Sequence, residues 1–154
     1  MSSERDLESF TSFFASVEPK LRHALIAAWG LEIGEDATAD ALTYAWEHWT
    51  KVEKMHNPAG YLYRVGRSNA KRYLRCPIGM DRPEATSPWH EPSLDGAVDL
   101  LTERQRVAVV LRHSFGWTHA EIGRFIGVSV PTVQKHVERG LTKLRTAMKV
   151  ETDA

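Results

Sequence analysis

At 154 residues, 42% of them hydrophobic and 26% charged, the chain has the composition of an ordinary globular protein and room for one domain or two small ones. No apolar run approaches the length of a bilayer span, and the residues from Met1 to Asp6 lack the basic patch and apolar stretch of a signal peptide, so membrane insertion is excluded and a cytoplasmic protein is expected. The single cysteine, Cys76, rules out an internal disulfide and a cysteine-based zinc site.

The 20 basic and 20 acidic residues cancel overall but are unevenly distributed. Residues 1–50 carry 3 basic and 9 acidic groups, residues 51–76 carry 7 and 1, residues 77–98 carry 1 and 4, and residues 99–150 carry 9 and 4. Screening erases fields beyond roughly 8 Å at physiological salt, so two basic surfaces can attract phosphate within a neutral chain.

The absence of sustained period-two alternation predicts an all-α fold. Leu7, Phe10, Phe13, Phe14 and Val17 recur at helical spacing, and Pro19 should then open a second helix that stops at Gly30. A third is expected to begin near Glu35 and Asp36 and to place Leu42, Ala45, Trp46 and Trp49 on one packing face. Asn57 followed by Pro58 is an N-cap with proline at the first helical position, predicting a fourth helix to about Arg75 with Gly66 as its weak point. Four of the seven prolines lie between Cys76 and Val98, which marks residues 77–98 as a linker between domains at 1–76 and 99–150. Thr102 with Gln105, and Thr118 with Glu121, form capping-box patterns. Ser129, with Pro131 in the first turn, should open a last helix running to about Met148.

From His119 to Arg139 the sequence reads HAEIGRFIGVSVPTVQKHVER. Ile122, Ile126, Val128, Val133 and Val137 supply contacts between two short helices, Gly123 leaves room for their crossing, and Gly127 suits the left-handed residue that closes the first. This is helix-turn-helix spacing. Along the last helix Val133, Val137, Leu141, Leu144 and Met148 form one stripe, and Thr132, Lys135, His136, Arg139 and Lys143 another. Thr132, Lys135 and His136 are placed to approach base edges and Arg139 and Lys143 to hold phosphates, with Gln134 at the border and Ser129 at the tip of the same surface. A helical hairpin with a solvated basic face is the plainer alternative, but spacing, small residue, turn glycine, cap and outer charge agree on double-stranded DNA binding.

On the helix from Pro58, Arg64, Arg67, Lys71 and Arg75 recur at spacings of three and four beside Tyr61 and Ser68, a ridge able to track a phosphate backbone. Tyr61 is a candidate for stacking on an unpaired base or for burial, whereas Trp46 and Trp49 are assigned to packing. The seven histidines are scattered without metal-site spacing, and Glu35, Asp36 and Asp40 are explained by an acidic helix start. No metal, cofactor or catalytic constellation is expected, and the chain is read as a non-enzyme.

These motifs together resemble the sigma-70 family of RNA polymerase sigma factors, in its extracytoplasmic-function (ECF) group, which has only the second and fourth conserved domains. EDATADALTYAW (Glu35 to Trp46) is similar to the core-polymerase-binding helix, and NPAGYLYRVGRSNAKRYLR (Asn57 to Arg75) to the helix that recognises and melts the −10 element. The stretch from Leu101 to Arg145 is similar to the domain that reads the −35 element. The resemblance implies a sigma domain 2-like helical bundle and a domain 4-like helix-turn-helix. It implies that Asp36, Asp40 and Tyr44 contact core polymerase, that the loop from Lys51 to Gly60 captures a flipped −10 base, and that promoter DNA and an anti-sigma factor are partners. Ala39 and Ser68 stand where the family often has glutamine and asparagine, and Pro131 where it commonly has glycine. The competing expectation is a stand-alone helix-turn-helix regulator whose N-terminal helices dimerise or sense a ligand.

Overall fold

The computed structural model describes residues 2–74 and 100–153, and in these it holds seven helices and no strand: α1 (Ser2–Trp29), α2 (Leu31–Glu47), α3 (Trp49–Val52), α4 (Pro58–Leu74), α5 (Glu103–His113), α6 (His119–Ile126) and α7 (Val130–Asp153). The chain divides into two compact units, Met1–Pro83 and Glu84–Ala154. The expected linker at 77–98, with Arg75 and Cys76 before it, lies outside the described residues.

In the first unit α1, α2 and α4 enclose a core in which Leu21, Leu25, Val52 and Leu62 are fully buried. The two helices expected around Pro19 are one, since α1 runs through Pro19 unbroken. An interior proline costs a helix about 3 kcal/mol. Here both flanks are held: Phe10 and Phe13 lie 5.3 and 5.0 Å from the Trp49 ring, and Leu21, Ala24, Leu25 and Ala28 are buried beyond it. Each such buried leucine contributes about 1.5–3 kcal/mol, which outweighs the local penalty.

Nor does α2 wait for Glu35 to begin. Gly30, at φ 88°, turns the chain in one residue so that α2 starts at Leu31 with Glu32 in its first turn. The turn brings the helices close enough that a Cβ on Gly34 would lie 2.6 Å from the Ile26 backbone. Gly66 is likewise a packing requirement rather than a weak point, since a Cβ there would lie 2.6 Å from Leu25 Cδ1 and 3.3 Å from the Ala37 carbonyl. It marks where α4 meets both α1 and α2. The two tryptophans separate: Trp49 belongs to α3 and is buried, whereas Trp46 on α2 is half-exposed and touches Phe10 at 5.1 Å.

Both capping boxes of the second unit form as the sequence predicts. The Thr102 and Thr118 hydroxyls accept from the Gln105 and Glu121 amides, whose side chains accept from the threonine amides in return. Gly127 closes α6 in the left-handed region, at φ 76° and ψ 36°. Trp117 meets Phe125 edge-on at 5.0 Å, above a core of Val107, Leu111, Ile122 and Val133. Gly140, which carries no local signal in the sequence, lets α7 cross α5 with the Val109 methyl 2.6 Å from where its Cβ would sit. The last helix continues past Met148 to Asp153, and Met148 itself is about half exposed.

Candidate nucleic-acid interface

In the second unit α7 buries one face and turns the other outward. Ser129 accepts from the Thr132 amide at 3.4 Å, and the two hydroxyls share a hydrogen bond at 2.8 Å, so the helix start is capped despite Pro131 in its first turn. At 100° per residue, Lys135 lies about opposite the buried line of Val133, Val137 and Gly140, with Arg139 beside it. Both are exposed, as is Gln134. Thr132 is half-buried at the margin.

His136 and Lys143 sit differently from their expected roles, because the same rotation carries them toward α5. The His136 Nε2 is buried without a hydrogen-bond partner, and Arg104 of α5 and Arg139 both act on the ring. Lys143, although exposed, donates its Nζ to the Gln105 Oε1 at 2.9 Å, the same oxygen that accepts from the Thr102 amide, and so ties α7 to the cap of α5.

Desolvation, then the charges of Arg104 and Arg139, lowers the His136 pKa from its ordinary value. The folded domain therefore takes the proton less readily than the unfolded chain, so stability holds above the usual histidine range and falls as pH drops through it. His23 in the first unit is lowered too, by desolvation and Arg22 against an opposing contribution from Glu18. Hydrogen-exchange protection factors in α5 and α7, which divide out the intrinsic slowing of exchange toward acid, should accordingly fall between pH 7.5 and 5.5, and His136→Leu should flatten that fall. An unaltered acid dependence in the variant would refute the assignment.

In the first unit the Asn57 side chain accepts from the Gly60 amide at 3.2 Å, which sets the start of α4 as the sequence predicts. The most exposed row on that helix is Arg64, Ser68 and Arg72, with Tyr61, Arg67 and Lys71 half-buried along its flanks. Arg75 lies outside the described residues. Arg72 is absent from the ridge that the sequence predicts, although its spacing of four from Ser68 and eight from Arg64 carries the signal. The expected base-capturing loop shortens to residues 53–57, because Lys51 and Val52 are helical and Pro58 opens α4. Ser9 ties it to α1 by donating to the Glu53 carboxylate at 3.3 Å.

Tyr61 neither stands free nor is buried. Its hydroxyl meets that of Tyr44 at 3.1 Å, and the Tyr44 ring stacks on His48 at 4.1 Å with a 21° interplanar angle. The Tyr61 hydrogen bond, followed by desolvation, raises the Tyr44 pKa. Asp36, Asp40 and Tyr44 share one flank of α2 and, with Asn69 and Arg72 of α4, line a cleft of about 520 Å³. Among the described residues no group of three His, Cys, Asp or Glu side chains could hold a metal ion, and no helix is long and apolar enough to cross a membrane.

Residues 93–144 match the family described as sigma-70, region 4. The sigma factor RpoE of Bartonella quintana, solved in complex with the anti-sigma factor NepR, is similar in structure over 92% of this chain and 97% of its own, with a TM-score of 0.60 and 20% sequence identity. At that identity the likeness is one of fold. No curated protein matches the chain.

Proposed function

We propose that this chain, a sigma-70 family protein by its region 4 domain, is an RNA polymerase sigma factor of the ECF group. It contacts core polymerase through the Asp36, Asp40 and Tyr44 flank of α2, engages the −10 element through α4 and the −35 element through α7, works in the cytoplasm and performs no covalent chemistry. The observation that carries the reading is the capped helix-turn-helix lying within the matched residues 93–144, with Lys135 and Arg139 outward on its second helix. The RpoE neighbour is held by an anti-sigma factor, and a partner of that class fits this chain as well.

Run-off transcription with core enzyme is the deciding experiment, and failure to initiate from any promoter on genomic templates would overturn the reading. A stand-alone regulator would also fail to co-purify with core polymerase. Within the sigma reading, reversing two exposed charges, Asp36→Lys with Asp40→Lys, should weaken core binding roughly tenfold or more while leaving the melting of the region 4 domain unchanged. Undiminished core affinity would remove this flank from the interface.

A further inference from the structure

Residues 130–150 of α7 carry five basic side chains, Lys135, Arg139, Lys143, Arg145 and Lys149, and a single acidic one, Glu138. Glu138 is exposed and stands between Lys135 and Arg139 along the helix. It lies about 60° round the axis from Lys135 and about 4.5 Å further along it, on the side away from His136 and Lys143. A surface carboxylate on a helix is ordinarily explained by an ion pair one turn away. That explanation fails here. Four residues on, where a lysine would form the pair, stands Thr142, whose hydroxyl donates to the Glu138 main-chain carbonyl at 2.9 Å, and four residues back is Gln134. Among the described residues neither Glu138 nor Lys135 takes part in an ion pair.

An unpaired carboxylate on this face works against phosphate. A helix laid in the major groove, about 12 Å wide, brings Glu138 within the roughly 8 Å over which charges act at physiological salt, so it lowers the affinity for every duplex alike. Only a donor on a base edge offsets that repulsion. The major groove presents two, the cytosine N4 and adenine N6 amino groups, and adenine sets its N6 beside the N7 acceptor, which repels a carboxylate. Cytosine has no acceptor next to its amino group. Its partner guanine offers N7 and O6, the acceptors that lysine reads, and Lys135 is exposed beside Glu138, at the Cβ separation of about 5–6 Å that a spacing of three residues gives. An unpaired acid and an unpaired lysine so placed match the two halves of a G·C edge.

We infer that Glu138 is a specificity-determining residue of α7: its carboxylate accepts a hydrogen bond from the amino group of a cytosine whose guanine is read by Lys135, and its charge disfavours duplexes that lack a G·C pair at that position. This role rests on α7 being the helix that enters the −35 element.

The test takes the full chain, the duplex that the wild-type protein selects from random DNA, and versions of that duplex with each base pair changed in turn. The wild-type chain should prefer cytosine at one position by about tenfold or more. Glu138→Ala, checked for wild-type helicity by circular dichroism, should lose that preference, keep those at distant positions, and bind unrelated duplexes more tightly. Glu138→Gln should shift the preference there toward adenine, the base that a carboxamide reads, and Lys135→Met should relax the same base pair. A gain in affinity for all duplexes with every preference intact would overturn the inference, leaving Glu138 as a charge that only repels phosphate. Unchanged binding would overturn it too, as would relaxation at a position that is not a G·C pair, or at different pairs in the Glu138 and Lys135 variants. A wild-type chain that selects no sequence would instead sink the reading of α7 itself, and the role of Glu138 with it.

Discussion

Gly123→Ala should destabilise the region 4 domain by about 2–3 kcal/mol, as expected for overpacking against atoms that cannot move aside, and should abolish its binding to duplex DNA. On an exposed helix the same change would gain up to about 1 kcal/mol in propensity. Here a Cβ would lie 2.5 Å from the Val128 carbonyl oxygen, which is backbone and not the end of a flexible side chain. The neighbouring bonds leave that carbonyl little freedom, because the amides of Gly127 and Val128 both donate to the Gly123 carbonyl, at 2.8 and 3.0 Å. Making room would open the turn that orients α7. Gly127 offers the internal contrast, having nothing within 4 Å of a Cβ but a φ of 76°. Gly127→Ala should cost about 1–2 kcal/mol through backbone strain alone, and Gly127→Asn less, because asparagine tolerates the left-handed region. Urea unfolding of the three variants checks the order; a Gly123→Ala chain as stable as wild type would show that the close approach is not needed.

The second unit is the more legible in sequence because its signals are short-range. A capping box spans four residues, a turn glycine is conditioned by its own φ, and the ends of α5 and α6 follow from them without knowledge of what packs alongside. Pro19 is the opposite case: the local rule ends a helix there, and only the Phe10, Phe13 and Trp49 cluster and the buried run from Leu21 to Ala28 hold α1 continuous. Gly66 fails as a local inference for the same reason. Its small size is required by Leu25 and Ala37 on two other helices.

For the candidate interface, helical periodicity points to α4 and α7 but does not resolve which positions at the edges of their faces are covered by neighbouring helices. A stripe about 100° wide holds Lys135, Arg139, His136 and Lys143 together, but packing of α5 decides which edge of it is covered. Once Val133, Val137 and Gly140 are known to point inward, His136 falls half-buried at the edge beside α5, and Lys143, still exposed, is close enough to reach Gln105. On α4 the spacing of basic residues alone sets the ridge one step off its crest. Measured from the buried side chains Leu62, Tyr63 and Ala70, that crest lies at Arg64, Ser68 and Arg72. The hydrogen bond between Tyr44 and Tyr61 has no signal in the sequence, since it joins residues assigned to different partners. It joins the flank of α2 proposed to meet polymerase to the helix proposed to engage the −10 element.

That relocation of Lys143 makes the largest functional prediction discriminating. Lys135→Glu with Arg139→Glu should abolish −35 binding, because each reversal removes a charge-assisted hydrogen bond worth about 1.5–3 kcal/mol and the pair together therefore at least ~100-fold in affinity. The dependence of affinity on salt should also flatten, by about one unit of log–log slope for each phosphate no longer held. Lys143→Met should behave otherwise. Its ammonium is engaged with Gln105, so the substitution should lower the melting temperature of the domain by a few degrees, on the scale of about 4–8 °C per kcal/mol for a unit of this size, and leave the salt slope as it was. Titration of the full chain against a duplex selected from random DNA by the wild-type protein, over a series of salt concentrations, separates the two behaviours. If Lys143→Met flattened the slope and the double reversal did not, the face of α7 that meets DNA would be the one turned toward α5, and the orientation assigned to the helix would be wrong.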